Sequence, residues 1–319
     1  LIIDSAQRDL RKYTECYDVI TDIRMLRWSP EPIAIRYGKA FRLLFRAQFL
    51  SHYWGYPPKW RLLARRLSGG PRVLPDFACV GSIKSGTSDL ATNLFAHPSI
   101  VPPFSKEIFN DKVESWRAYY PTVEEMASTR DASGAARTGY FTPWLSHRPL
   151  SAKFHAAVPE GKAILVLRDP VNRAYSHYKW EIMFGGPALL RQPHFASYSA
   201  FVDRALADYP KPAPTICGEP FLQCGLYADL VEPWLNELGR DNVLILAAED
   251  YFRKPAETLD SVYAFLGLES IPYVRGPKLN ENPVEAPAED EASRARLVDF
   301  YAPHNAKLYE LLGRDLGWG

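Results

Sequence analysis

The chain has 319 residues, 38 Lys and Arg against 37 Asp and Glu, and a hydrophobic share of 47%, a make-up that excludes fibrous and disordered classes and suits a globular protein of one large domain or two small ones. The near-neutral total hides an asymmetry: residues 1–72 carry fourteen Lys and Arg against six Asp and Glu, a balance of +8, while the remainder balances at −7. No uninterrupted apolar run approaches the roughly 20 residues that cross a bilayer as a helix, which excludes a transmembrane segment within this sequence.

The first seventy or so residues read as helices. Asp4 and Ser5 offer caps for a helix whose apolar positions Leu10, Tyr13, Tyr17, Ile20 and Ile23 recur at helical spacing. A second segment, AIRYGKAFRLLFRAQFL, sets Arg36, Lys39, Arg42 and Arg46 along one stripe with aromatic and aliphatic residues elsewhere, so its apolar side is expected to pack on the body of the protein. No acid occurs between Pro32 and Pro75. Such a region suits an anionic partner, whether a sulfated or uronic polysaccharide, a membrane surface or nucleic acid, and equally suits docking onto the acidic remainder. SGGPRVLP then reads as a linker, which divides the chain into a basic helical N-terminal extension, 1–72, and a second domain, 73–319. The chain begins at Leu1, not methionine, so an upstream signal or membrane anchor stays open, and with it the compartment.

From Pro75 the pattern becomes strand, loop and helix in alternation. DFACVG, AILVL (163–167) and VLILA (243–247) are short apolar runs of the kind that strands buried on both faces show. Helical stretches are expected over Thr87 to Ala96, Val171 to Met183, Ser199 to Ala207, Leu226 to Leu238 and Ala256 to Leu266, and the closing EASRARLVDFYAPHNAKLYELLG reads as two helices broken at Pro303. The alternation implies an α/β fold, a parallel sheet covered by helices on both sides. The four cysteines form no metal pattern; Cys79 fits a core strand, and whether Cys217 and Cys224 are bridged is left open.

GSIKSGTSDL (81–90) follows the first strand and has the glycine spacing of a nucleoside-triphosphate loop, with Gly81 and Gly86 in place. Thr87 occupies the position of that loop's lysine, and the lysine present, Lys84, lies inside the loop. A strand, a glycine turn and a helix start make a cradle for an anion, with backbone N–H groups and the hydroxyls of Ser85, Thr87 and Ser88 as donors. Thr87 speaks against magnesium-dependent phosphoryl transfer; a lysine within the loop suits a leaving group whose new negative charge needs a cation and no metal. Further on, AILVLRDPVNRAYSHYKW places Arg168 at the carboxyl end of a strand, where open α/β sheets bind ligands. Asp169 can cap the helix that follows, Pro170 fits its first turn, and Ser176 lies on a face that can return towards Arg168, so a guanidinium and a hydroxyl can hold a phosphate together.

These two segments resemble the sulfotransferases that use 3'-phosphoadenosine 5'-phosphosulfate, in particular the Golgi carbohydrate branch with its bacterial and algal relatives. IKSGTS is similar to the family's P-K-[ST]-G-T-[ST], with Ile83 in place of proline, and RDPVNRAYSHY is similar to R-D-P-x-x-R-A-x-S-x-[YW]. The resemblance covers roughly 75–319 and implies a P-loop-like three-layer fold. It implies that Lys84 meets the bridging oxygen, that Gly86, Thr87 and Ser88 hold the 5'-phosphate, that Arg168 and Ser176 hold the 3'-phosphate, and that Arg173 is a structural salt-bridge residue. HPSIVPPFSKEIFN resembles a segment whose K-E-x-x-F-F carries the catalytic base, here Glu107, with the aromatic part shortened to Phe109. His155 and His177 are the histidine alternatives for that base, His177 reading as a packing residue. RTGYFTPWL resembles an acceptor-side G-E-x-[ST]-P-x-Y in which Tyr140 replaces the acid, LQCGLYADLVEPWL resembles a donor-side segment containing Tyr227 and Trp234, and RGPKLNENPVEAP takes the place of a basic closing loop in which Lys278 is left among Asn280, Glu281 and Asn282. The implied activity is sulfuryl transfer to a hydroxyl of a carbohydrate, with no metal and no nucleic-acid partner. A small-molecule or peptide acceptor, or an inactive glycan-binding protein of the same fold, are the alternatives.

Overall fold

The structure, a computed structural model, describes residues 32–45, 59–67, 69–108, 112–147, 149–213, 215–274 and 285–318. The expected first helix, Cys16, Arg46, Phe109 and the segment with Lys278, Asn280, Glu281 and Asn282 lie outside these residues. Two helices, α1 (Ile33–Phe45) and α2 (Lys59–Leu67), precede the sheet domain. The domain then runs β1 (Phe77–Gly81), α3 (Thr87–Phe95), a 3-10 helix (Val113–Tyr119), α4 (Val123–Ser133), β2 (Gly139–Thr142), α5 (Leu150–Ala157), β3 (Lys162–Leu167), α6 (Pro170–Gly185), α7 (Tyr198–Asp208), α8 (Tyr227–Leu238), β4 (Val243–Ala247), α9 (Ala248–Arg253), α10 (Pro255–Leu266) and α11 (Glu291–Leu312).

The four strands pair in the order β2-β1-β3-β4 and all are parallel, as the continuous apolar runs require. Alternate residues of the central strands feed two cores. Ala78, Val80, Ala163, Leu165 and Leu167 face α5, α8 and α11 through Phe154, Trp234 and Leu308; Phe77, Cys79, Ile164 and Val166 face α3 and α10 through Leu90, Leu94, Leu259 and Val262. A third cluster joins α6, α7 and the amino half of α11 through Tyr178, Tyr198, Phe201, Leu297 and Tyr301. The sheet therefore carries helices on both faces, and its carboxyl ends are left for the connecting loops.

The helices α4, α5 and α9 have no counterpart in the sequence expectation, and two further elements, β2 and α11, differ from it. β2 is a parallel edge strand in a stretch that the resemblance marks only as an acceptor-side segment: Gly139 to Thr142 pair with Phe77 to Val80. The run is short, and its buried Tyr140 and Thr142 carry polar atoms, so no apolar strand signature marks it. The closing segment is one helix of 22 residues that passes through Pro303, not two. Pro303 sits on the exposed side of α11, and Leu297, Tyr301, Asn305 and Leu308 form the buried stripe. An interior proline costs about 3 kcal/mol; burying each large apolar side chain of that stripe returns about 1.5–3 kcal/mol, and the helix continues.

α2 is held to the body. Arg65 donates from Nε to the Ala118 carbonyl at 2.7 Å and from Nη2 to the Tyr120 carbonyl at 2.9 Å, and its guanidinium lies 4.5 Å from the Phe104 ring centroid. Burial and the neighbouring Arg72 lower the Arg65 pKa to about 10. Among the described residues no helix is long and apolar enough to cross a membrane.

Candidate active site

The loop after β1 is shaped by two glycines and one strained lysine. A Cβ on Gly81 would stand 2.2 Å from the Thr87 Cγ2, so only glycine lets the helix start fold back onto the strand end. Gly86, at φ +93°, is the N-cap of α3 and supplies no side-chain cap, which leaves the first-turn N–H groups available to an anion. Lys84 has φ +71°, the one non-glycine residue with positive φ among those described. Ser82 Oγ donates to the Cys224 carbonyl at 2.6 Å and Ser85 N to the Ser82 carbonyl at 3.1 Å, closing the turn. Ser85 is fully buried; its Oγ closes no hydrogen bond by geometry, although the Tyr227 phenol lies near enough to be influenced by it. A buried hydroxyl without a partner, next to an uncapped helix start, fits an absent anionic ligand.

β3 delivers Arg168 to the same place. Its Nη1 donates to the Lys84 carbonyl at 3.0 Å, so the two anchors expected from sequence are joined directly. Asp169 caps α6 by accepting from Val171 N at 2.9 Å, as its place before Pro170 predicts. Tyr227, in the core at the start of α8, donates its hydroxyl to the Arg168 carbonyl at 2.8 Å, and so fixes the strand end from behind. Ser176 is half-buried on α6.

Glu107 reaches the site through Lys106. Lys106 is buried, with 3% of its side chain exposed, and its Nζ donates to Ser88 Oγ at 2.8 Å and pairs with Glu107 Oε1 at 2.5 Å. The Glu107 side chain is 14% exposed. Its segment is pinned to the sheet edge: Ile108 N donates to the Phe141 carbonyl at 3.1 Å, and Tyr140, fully buried, donates its hydroxyl to the Ile108 carbonyl at 3.0 Å. The tyrosine that replaces the expected acid thus holds the backbone next to Glu107. In the sequence Lys106 is only the lysine before Glu107. No signal in the sequence says that its amine turns towards Ser88.

The electrostatics of the loop centre on Lys84. Burial first, then the charges of Arg168 and Lys179, lower its pKa to about 7; Glu107 and the Cys217 thiol oppose that shift. Glu107 and Arg168 therefore both lie within electrostatic reach of one amine. Burial also lowers the Arg168 pKa.

The histidine alternatives sit elsewhere. His155 lies on α5, which packs against α8 and the 3-10 helix. His177 is fully buried on α6: Nδ1 stands 3.1 Å from Arg173 Nη1, and Nε2 stands 3.2 Å from Cys217 Sγ and 3.3 Å from Glu181 Oε1. A guanidinium only donates, so Nδ1 accepts and Nε2 carries the proton. His177, Glu181 and Cys217 place three ligand-type atoms within 4.8 Å of one another, but with Nε2 protonated they form a hydrogen-bond chain. Arg173 corrects an expectation. Among the described residues no carboxylate pairs with it; it donates to the Phe221 carbonyl and to His177 and lies against the Phe221 ring, a structural role through neutral groups. Cys217 and Cys224 are both free thiols. One further neighbour escaped the sequence reading: Phe252 on α9, 55% exposed, lies where a Cβ on Gly86 would come within 2.7 Å of its ring.

A family profile described as "Sulfotransferase domain" matches residues 74–281. The chain is similar to heparan sulfate glucosamine 3-O-sulfotransferase 3A1 of Mus musculus, 28% identical over 287 residues that cover 80% of this chain and 67% of the relative. It is similar to heparan sulfate glucosamine 3-O-sulfotransferase 6 of Homo sapiens, 27% identical over 278 residues, 79% of this chain and 77% of the relative. Among solved structures it is similar to a sulfotransferase from Alicyclobacillus acidocaldarius, with TM-score 0.56 and 25% identity over 76% of this chain and 98% of that one.

Proposed function

The chain belongs to the sulfotransferase domain family, and from that premise we propose that it transfers a sulfuryl group from 3'-phosphoadenosine 5'-phosphosulfate to a hydroxyl of an anionic polysaccharide of the glycosaminoglycan class. The donor's 5' end fits the loop of Lys84, Ser85, Gly86, Thr87 and Ser88, whose backbone donors and orphaned Ser85 hydroxyl ask for an anion. Arg168 and Ser176 take its 3'-phosphate, Tyr227 supports Arg168, and Lys278 is assigned to the closing loop over the same phosphate. Glu107 accepts the acceptor's hydroxyl proton as that oxygen forms its bond to sulfur. The bond from sulfur to the bridging oxygen breaks on the opposite side, and Lys84 neutralises the charge left on the 5'-phosphate. No metal takes part.

The observation that carries this reading is the convergence on Lys84. Arg168 bonds its carbonyl, and the charge of Glu107 acts on its amine, which brings leaving-group cation, phosphate anchor and base into one cluster. The anionic acceptor rests on the acid-free stretch between Pro32 and Pro75 and on the relatives' heparan sulfate names. Labelled-donor transfer to a panel of glycosaminoglycans tests it. Lys84→Ala and Glu107→Gln are each expected to lower the rate by at least about 100-fold, the scale of one well-placed charge or proton-transfer group. Transfer by Lys84→Ala at the unaltered rate would refute the assigned role.

A further inference from the structure

The roles given to Lys84 leave out the group on which its ammonium rests. Nζ lies 3.8 Å from the centroid of the Trp180 ring. Trp180 is on α6, one turn beyond Ser176, and its ring is braced by Phe184, with centroids 4.6 Å apart. A cation over an indole face is the best of the cation–π pairings and gains most where water is excluded.

The charged and titratable groups that face the ammonium come from every side. Arg168 at the end of β3 and Lys179 on α6 repel it, while Glu107 and Cys217 attract it when ionised. His177, from the turn of α6 before Trp180, lies close enough to feel the lysine's charge, and burial keeps its own pKa low. Lys179 rests on an aromatic face of its own, 4.7 Å from the Tyr175 centroid. Burial plus two cations favour loss of the Lys84 proton or an outward swing of the side chain; the indole face opposes both. We propose that Trp180 is a positioning residue for sulfuryl transfer, its indole face holding the Lys84 ammonium charged and in place at the loop for the donor's bridging oxygen. The proposal rests on the reading of Lys84 as the leaving group's cation.

The test compares Trp180→Phe and Trp180→Leu, each with Lys84 intact and in a Lys84→Ala background, by labelled-donor transfer at saturating donor and across pH. Trp180→Leu is expected to lower kcat about tenfold, which is about 1.4 kcal/mol and within the cation–π range. Trp180→Phe, which keeps an aromatic face, is expected to lose about threefold or less. The alkaline limb of kcat/KM, where Lys84 loses its proton, should move to lower pH in the leucine variant and less in the phenylalanine variant. In the Lys84→Ala background, Trp180→Leu should add nothing. An unchanged limb with kcat within about twofold of the parent, or an equal loss in both backgrounds, overturns the proposal, because a packing role would not depend on the lysine. If the leucine variant fails to fold, Trp180→Met, which fills space without an aromatic face, takes its place under the same criteria. Lys84→Ala alone at the unaltered rate would bring down the functional reading itself; a slow Lys84→Ala beside an indifferent Trp180 variant would bring down this inference only.

Discussion

Lys84 holds an L-residue backbone at φ +71°, in a region that costs a non-glycine residue on the order of 1–3 kcal/mol. The surroundings over-determine it: Arg168 bonds its carbonyl and Trp180 faces its amine. Its amine is also costly to bury charged, which yields a prediction about stability. The folded-state pKa, about 7, lies below the lysine's ordinary 10.5, so the unfolded chain binds this proton more tightly. The penalty is present in full below about 7 and shrinks as pH rises towards 10.5. Lys84→Met, melted without donor, is therefore expected to gain more in Tm over the parent near pH 6 than near pH ~10. Equal gains at both pH values would show that the lysine's proton is not coupled to folding. Lys84 and Arg168 were legible in the sequence because each stands in a contiguous motif beside a strand end. Lys106 and Trp180 were not, because Ser88 lies eighteen residues from the first along the chain and Lys84 lies 96 residues from the second.

Between elements, the Glu107 segment is tied to β2 by the Tyr140 hydroxyl and the Phe141 carbonyl and to the start of α3 by Lys106. A buried ammonium with two oxygen partners is expensive to leave unmatched, and so is the carboxylate it leaves behind if it is removed. Lys106→Met is expected to lower kcat by about tenfold or more by freeing the Glu107 side chain, with adenosine 3',5'-bisphosphate affinity reduced only a few-fold, since one hydroxyl contact in the loop is altered. Calorimetry and steady-state rates check the split. A loss confined to bisphosphate binding would mean that Lys106 serves the loop and not the base. At this level part of the fold is not legible in the sequence. The strands β1, β3 and β4 announce themselves as continuous apolar runs. β2 is four residues at the sheet edge, and its identity rests on backbone pairing with β1. Local propensity alone marks Pro303 as a break, whereas the buried stripe on the other side of α11 carries the helix through it.

Over the whole molecule, charge is divided unevenly, with +8 in residues 1–72 and −7 in the remainder. Attraction of an anionic chain to a basic surface is long-ranged and screened within about 10 Å at 0.1 M salt. Raising salt from about 0.05 M to about 0.5 M is accordingly expected to raise KM for a glycosaminoglycan acceptor about tenfold or more. KM for a short neutral acceptor should change by less than about twofold over the same range. Parallel salt responses for the two acceptors would remove the basic stretch from acceptor binding.

β1 and β3 are adjacent strands in fixed register, Gly81 opposite Val166, so the turn that carries Lys84 and the strand end that carries Arg168 start about 4.8 Å apart and cannot drift. The sheet thereby acts as a caliper. On the proposed assignment a donor nucleotide is gauged by the span between its two charged ends before any base or sugar is inspected, and one whose anionic groups are spaced differently seats one jaw and misses the other.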